Sequence, residues 1–78
     1  MTPDSAELTF GGKAVGLTFN PSNDENVQRM KEYYANVIDQ LNGMRTPDQS
    51  EQNRLISIAI TEAQGAQMWA VKAITWKD

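Results

Sequence analysis

The chain has 78 residues, of which 40% are hydrophobic and 22% are charged, and its formal net charge is −3. This composition is typical of one small folded domain, covering residues 1–78. The chain contains no Cys and no His, which excludes disulfides, the usual zinc sites and a nucleophile activated by histidine. The acidic balance disfavours binding to duplex nucleic acid. Because a short domain without these supports has a thin core, we expect it to self-associate.

Residues 1–20 are predicted to form a short arm. Leu8 and Phe10 are apolar residues at alternating positions, and so are Val15, Leu17 and Phe19. Such alternation is typical of half-buried strands. Between the two segments lie Gly11, Gly12 and Lys13, and the glycines can supply the tight turn of a hairpin. The sequence therefore predicts an N-terminal β-hairpin that packs against helices.

A first helix is predicted over residues 22–43. Pro21 ends the preceding segment, and Ser22 with Glu25 has the spacing of a capping box. Apolar residues then recur at alternating steps of three and four, a pattern typical of a seam that faces another helix. They are Val27, Met30, Tyr34, Val37, Leu41 and Met44, with Ile38 alongside. Gly43 is the predicted left-handed C-cap.

A second, longer helix is predicted over residues 46–76. Thr46 is its candidate N-cap, Pro47 suits the first helical position and Gln49 completes a capping box. Because the connection from Gly43 is short, the two helices should fold back as an antiparallel hairpin. The apolar residues of this helix form two neighbouring stripes: Leu55, Ala59, Ala66, Trp69, Ala73 and Trp76, and then Ile56, Ile60, Ala63, Val71 and Ile74. The first helix is too short to cover both, so a second copy of the chain should cover the rest.

The predicted fold is therefore mostly α, with a short N-terminal β-hairpin followed by an antiparallel two-helix hairpin, assembled as a homo-oligomer. The stretch from Met1 to Glu7 is polar and acidic, so no signal peptide is predicted. Glu62 and Lys72 interrupt the apolar half of the second helix, so no membrane span is predicted either. We accordingly expect a cytoplasmic protein.

The sequence contains none of the usual catalytic patterns. Its acidic residues are not paired at helical spacing on an apolar face, and Gly11–Lys13 is too short for a phosphate-binding loop. We expect no enzymatic activity, no metal and no cofactor. The Met and aromatic residues at helical spacing are expected in the core or at an interface. The second helix also carries a polar strip, which is either a solvated face or a set of ligand contacts; it comprises Arg54, Ser57, Thr61, Gln64, Lys72 and Thr75.

Several motifs of the second helix together resemble those of a known family. Arg54 comes first, Thr61-Glu62-Ala63-Gln64 follows one to two turns later, and Lys72-Ala73-Ile74 lies near the end. The pattern is similar to that of the phage helical-hairpin sponges, the anti-Thoeris and anti-CBASS proteins that sequester cyclic nucleotide signals of bacterial immune systems. Gly16 and Lys31-Glu32 extend the resemblance to roughly residues 13–76.

One departure from the family pattern concerns the stacking residue. Leu17 stands where anti-CBASS members tend to have an aromatic residue directly after the glycine, so Phe19 is the nearest ring. The Phe19-Asn20-Pro21 turn is more similar to the anti-Thoeris branch. Which cyclic nucleotide is bound therefore stays open.

The resemblance implies a phage protein that acts in the cytoplasm of an infected bacterium. It would bind cyclic ADP-ribose variants, or the cyclic di- or trinucleotides of CBASS, without cleaving them. It would be a homo-oligomer, a dimer that can assemble further into a hexamer, with pockets between subunits. The predicted ligand-binding residues are Phe19, Asn20, Lys31, Arg54, Thr61 and Gln64.

Each of these residues matches one part of such a ligand. Lys31 and Arg54 would pair with phosphate charges from a solvated surface, where their replacement should change stability little. Phe19 would stack on a base, and Thr61 and Gln64 would read base edges. The start of the first helix offers free backbone N–H groups to an anion near Asn20. The alternative function is a structural or adaptor homo-oligomer without a small-molecule ligand, and an RNA-binding hairpin is disfavoured by the acidic balance.

Overall fold

The structure, a computed structural model, describes residues 8–48 and 50–78. Within them lie three helices: α1 over Phe10–Val15, α2 over Glu25–Gly43 and α3 over Glu51–Thr75. The two long helices form a hairpin, and α1 packs mainly against α2. The predicted mostly α fold with a helical hairpin is thus confirmed.

The predicted β-hairpin is wrong over residues 8–20, where the structure has α1 followed by a turn. Thr9 caps α1, because its hydroxyl accepts a hydrogen bond from the Gly12 N–H at 3.0 Å. Gly16 ends the helix in the left-handed conformation, with φ 64°. The N-cap at Thr9 and the C-cap at Gly16 thus favour a short helix of about one and a half turns over a strand. The part of the predicted hairpin before Leu8 lies outside the described residues.

The Gly11 position, interpreted as part of a turn, is instead a point of helix contact. A Cβ on Gly11 would collide with the carbonyl oxygen of Ala35 in α2 and would lie 2.9 Å from the Asp39 carboxylate. Only a glycine allows α1 to approach α2 this closely. Gly11, which favours a hairpin turn in the sequence, therefore has a different physical role in the structure.

The start and end of α2 differ from the predicted ones. Asp24, not Ser22, is the N-cap, and its carboxylate accepts a hydrogen bond from the Asn26 N–H at 2.7 Å. Gly43 is the last residue of the helix, and the C-cap is Met44 with φ −87°. The predicted left-handed cap at Gly43 is therefore wrong.

The start of α3 lies later than predicted because a polar loop precedes it. Ser50 is the N-cap, and its hydroxyl accepts from the Asn53 N–H at 3.2 Å. Thr46 belongs to the connection, where Asn53 holds it: the Thr46 N–H donates to Asn53 Oδ1 at 3.1 Å, and Asn53 Nδ2 donates to the Thr46 carbonyl at 2.8 Å. The predicted cap at Thr46 is wrong, and Gln49 lies outside the described residues.

The core lies where the three helices meet. Its buried residues are Val15, Ala35, Ile38, Ile56 and Ile60. On α2 the buried side includes Lys31, whereas Val37 and Met44 of the predicted seam are each about half exposed. The buried stripe is therefore rotated from the predicted one.

The molecule is one helix layer thick, with principal extents of 45 × 38 × 13 Å. Its radius of gyration is 14.1 Å, against roughly 11.5 Å for a compact domain of this length. Many large apolar side chains are consequently exposed in the single chain; they include Tyr33, Val37, Leu55, Ile58, Met68, Trp69 and Trp76. None of the helices in the described ranges is long and apolar enough to span a membrane.

Candidate ligand-binding site

Lys31 lies at the centre of the candidate site. It projects from the second turn of α2 towards the turn over residues 16–24, and it is only 6% exposed. Its amino group donates a hydrogen bond to the Gly16 carbonyl at 3.0 Å and another to the Phe19 carbonyl. Within residues 8–48 and 50–78 no carboxylate lies within ion-pair distance of this amino group. A positive charge is thus held in place by carbonyl oxygens, which leave it uncompensated by any described acid.

The side chain of Phe19 covers this cation from the solvent side. Lys31 Nζ lies 5.5 Å from the centroid of the Phe19 ring, within cation–π distance. The ring itself is 71% exposed. One flat face is therefore free for stacking next to a fixed positive charge.

Asn20 shapes the turn over residues 16–24 with both ends of its side chain. Its Nδ2 donates to the Asp24 carbonyl at 3.2 Å, and its Oδ1 accepts from the Ser22 hydroxyl at 2.8 Å. Its backbone carbonyl accepts from the N–H of Asn23, which has φ 56°. Asn20 thereby fixes the segment that carries Phe19.

Arg54 lies elsewhere, on the first turn of α3. It forms a two-point ion pair with Glu51, with Nε to Oε1 at 2.9 Å and Nη2 to Oε2 at 2.5 Å, and both side chains are more than 60% exposed. These hydrogen bonds lower the pKa of the Glu51 carboxyl from its usual value and raise the pKa of Arg54. The guanidinium is therefore oriented, but it remains open to water.

Thr61 lies two turns after Arg54 on the same exposed side of α3. The two residues border one shallow hollow of about 380 Å³, whose other lining residues are Ser57, Ile58 and Glu62. A second, larger hollow of about 660 Å³ adjoins it at the connection between α2 and α3. Arg45 contributes to that hollow and donates to the Ser57 hydroxyl at 3.0 Å. Arg45 is not among the residues predicted from the sequence, although its position directly before Thr46-Pro47 places a cation beside a loop.

Gln64 belongs to neither surface. Its Nε2 donates to the Ala14 carbonyl at 3.3 Å and so ties α3 to the end of α1. The single chain therefore brings Phe19, Asn20 and Lys31 together, places Arg54 and Thr61 on another surface, and uses Gln64 as a link between helices.

Gly16 also contributes to the site. The carbonyl of Gly16 is one of the two oxygens that hold Lys31, and the left-handed φ of this glycine directs the carbonyl towards Lys31.

Among the described residues no group of three or more acidic side chains is close enough to hold a metal ion. The arrangement suits an anion with a flat ring system better than it suits a cation.

A family model described as Acb2/Tad1, hairpin domain, matches residues 12–75. The match runs from within α1 to the last residue of α3. The chain belongs to the Acb2/Tad1 hairpin family. This is the anti-CBASS and anti-Thoeris sponge family that the sequence resembles, so that prediction is confirmed. No curated protein and no solved structure matches the chain.

Membership of the Acb2/Tad1 hairpin family is consistent with an anti-defence role. The matched residues include all six of the predicted ligand-binding positions. Because Lys31 is buried, the expectation that it lies on a solvated surface is wrong, whereas Arg54 does lie on one.

Proposed function

We propose that this Acb2/Tad1 hairpin protein is a phage anti-defence sponge. It binds cyclic nucleotide immune signals, either cyclic ADP-ribose variants or the cyclic di- and trinucleotides of CBASS, and sequesters them without cleavage. The observation that carries the proposal is the fixed Lys31 cation beneath the exposed Phe19 ring. A phosphate and an adjacent base are the two groups that such a pair recognises.

Arg54 and Thr61, which lie on a separate surface, would contact a second part of the same ligand. In one chain these residues do not join Phe19 and Lys31, so a complete pocket needs residues from two subunits. We propose a homo-oligomer, a dimer that can assemble into a hexamer, in which Arg54 of one subunit adds a second cation to the site of its neighbour. Gln64 supports the pocket by holding α1 in place.

The sponge role requires that the ligand leave the protein unchanged. The chain has no His and no Cys, which removes the commonest general base and the commonest strong nucleophile. Ligand recovered by heat denaturation after long incubation should therefore chromatograph as intact cyclic nucleotide. A linear or hydrolysed product would contradict the proposal.

Native mass spectrometry combined with calorimetric titration tests the binding itself. The protein is incubated with cyclic ADP-ribose variants and with cyclic di- and trinucleotides, and both the retained mass and the affinity are measured. Phe19→Ala and Arg54→Ala should each weaken binding about tenfold or more, the loss expected for a stacking contact or a charge-assisted hydrogen bond. Lys77→Ala is the matched control, because Lys77 is an exposed cation at the other end of α3.

The alternative is a structural or adaptor homo-oligomer with no small-molecule ligand. The exposed side chains of Trp69 in α3 and of Trp76 directly after it favour this alternative, because they indicate an assembly surface regardless of any ligand. If none of the cyclic nucleotides is retained, or if Phe19→Ala and Arg54→Ala bind like the unmodified protein, this alternative is preferred.

A further inference from the structure

Gln67 is a polar residue buried on the inner side of α3, where it is only 5% exposed. Within residues 8–48 and 50–78 its side-chain amide makes no hydrogen bond, whereas the nearby Gln64 donates to the Ala14 carbonyl at 3.3 Å. Burying an amide costs free energy unless the amide has a partner. The amide of Gln67 is therefore matched to a group that the described part of the chain does not supply.

The helix hairpin places Gln67 at the level of Lys31. Ile38 of α2 and Ile60 of α3 belong to the same buried cluster. Lys31 lies seven residues before Ile38, and Gln67 lies seven residues after Ile60. Because the two helices run antiparallel, both steps lead about 10 Å away from the connection and in the same direction. Packed helix axes lie roughly 8 to 10 Å apart, so two long side chains on the facing sides can meet.

The contact of α1 with α3 leads to the same place. Gln64, which holds the Ala14 carbonyl, is three residues from Gln67 and hence its neighbour on the helix surface. Gly16 follows Ala14 by two residues, and its carbonyl accepts a hydrogen bond from the Lys31 amino group at 3.0 Å. Two independent contacts thus indicate that the amide of Gln67 lies close to the Lys31 cation.

The side chain at position 67 has the shape of a glutamate without its charge. A glutamate would be the simplest partner for Lys31, because lysines are rarely buried unless they are paired. The neutral glutamine instead leaves the cation for an anion that comes from outside the chain. Its amide also has two N–H groups, which phosphate oxygens accept.

We propose that Gln67 is a specificity-determining residue of the Lys31 site, where its amide donates a hydrogen bond to the same phosphate that Lys31 binds. The neutral amide selects for an anionic ligand in two ways, because it adds a donor and does not neutralise the cation. This assignment rests on the proposed function, since the phosphate is that of the bound cyclic nucleotide.

Calorimetric titration with cyclic nucleotides, together with thermal melts, tests the assignment on two variants. Gln67→Leu removes the donor and keeps most of the volume, so affinity should fall about tenfold while the melting temperature stays equal or rises. Gln67→Glu should lose affinity by at least about a hundredfold, since the new carboxylate pairs with Lys31 and repels the phosphate. Gln40→Glu, the same change at an exposed position of α2, is the matched control and should bind like the unmodified protein.

A ligand-free arm tests whether the two side chains are neighbours. Gln67→Glu alone should melt within about 5 °C of the unmodified protein, because Lys31 compensates the new charge. In a Lys31→Met background the same substitution should lower the melting temperature by at least about 10 °C, because it buries an unpaired carboxylate. A double variant that does not fold, beside two folded single variants, has the same meaning. Equal effects of Gln67→Glu in both backgrounds would overturn the assignment.

The outcomes for ligand binding separate this assignment from the proposed function. If the unmodified protein binds a cyclic nucleotide and Gln67→Leu binds it equally well, the assignment is wrong and the proposed function stands. A Gln67→Leu variant that loses affinity and melting temperature together would show a packing role and would also overturn the assignment. If the unmodified protein binds no cyclic nucleotide, the proposed function fails and the assignment fails with it.

Discussion

The backbone N–H of Gly11 donates a hydrogen bond to the Asp39 carboxylate, with the nitrogen and oxygen 2.6 Å apart. This bond fastens the start of α1 to the C-terminal half of α2, at the place where a side chain on Gly11 would collide with Ala35. Since α1 leads directly to Gly16, the contact also fixes the carbonyl that receives Lys31. A packing contact outside the candidate site thus determines the geometry within it.

We expect Gly11→Ala to destabilise the protein by about 1 to 3 kcal/mol, because the added methyl group forces α1 away from α2. Chemical denaturation followed by circular dichroism measures this directly. Gly43→Ala is the matched control: nothing lies within 4 Å of its added Cβ, so its free energy of unfolding should stay equal or rise slightly. Equal effects of the two substitutions would contradict the close approach.

Lys31→Met should lower both stability and affinity. It leaves the Phe19 carbonyl without its Lys31 donor and the Gly16 carbonyl with only the Phe19 N–H, at about 1 to 3 kcal/mol of folding free energy. It also removes the cation from the proposed site. Thermal melts and calorimetric titration of one preparation measure the two effects. If the variant were as stable as the unmodified protein, the buried position of Lys31 would be wrong.

Phe19→Ala and Asn20→Ala should both weaken ligand binding but should differ in their effect on the turn over residues 16–24. Phe19 is largely exposed and its main contact is the cation–π contact with Lys31, so removing its ring should lower the unfolding free energy by only about 0.5 to 1 kcal/mol while it weakens cyclic nucleotide binding. Asn20→Ala removes hydrogen bonds inside the turn, so it should loosen the segment as well as weaken binding. Amide hydrogen exchange of residues 16–24 distinguishes them: only Asn20→Ala should increase the exchange rates.

The ion pair of Arg54 and Glu51 predicts a pH effect of definite sign. Because the pKa of Glu51 is lower in the folded chain, the pair stabilises the fold above the ordinary carboxyl pKa, and this contribution is lost as the pH falls through the lowered value. A carbon-detected NMR titration of the Glu51 carboxyl should give a pKa below the ordinary value. Arg54→Ala should move this pKa upwards, and an unchanged titration would show that the pair does not form in solution.

The two long helices were predictable because their signals are local and repeated. Pro21 and Pro47 each stand shortly before a long helix, and the apolar repeat that follows each of them continues for several turns. The exact caps were harder, because a loop rich in Ser, Asn and Asp offers several competing acceptors. Asp24 and Ser50 are favoured over Ser22 and Thr46 only once the loops have folded.

The α1 helix and the burial of Lys31 were not predictable from local patterns. A helix of six residues with two glycines has poor intrinsic propensity, and it forms here because α2 provides Asp39 and a close packing surface. Lys31 was assigned to the solvent because lysines are rarely buried without a partner. Its partners are carbonyl oxygens of a turn that no periodicity reveals.

Because the protein is one helix layer thick, burial alone should not decide which positions tolerate substitution. In an ordinary domain, deep mutational scanning finds its intolerant positions among the buried residues. Here the interior contains few side chains, and the large apolar residues on the two open sides outnumber them. Under the proposed assembly, we expect a scan scored by the proposed anti-defence activity to show intolerance at Trp69 and Trp76 comparable to that at Ile38, so that its map would outline the proposed assembly and not the isolated chain.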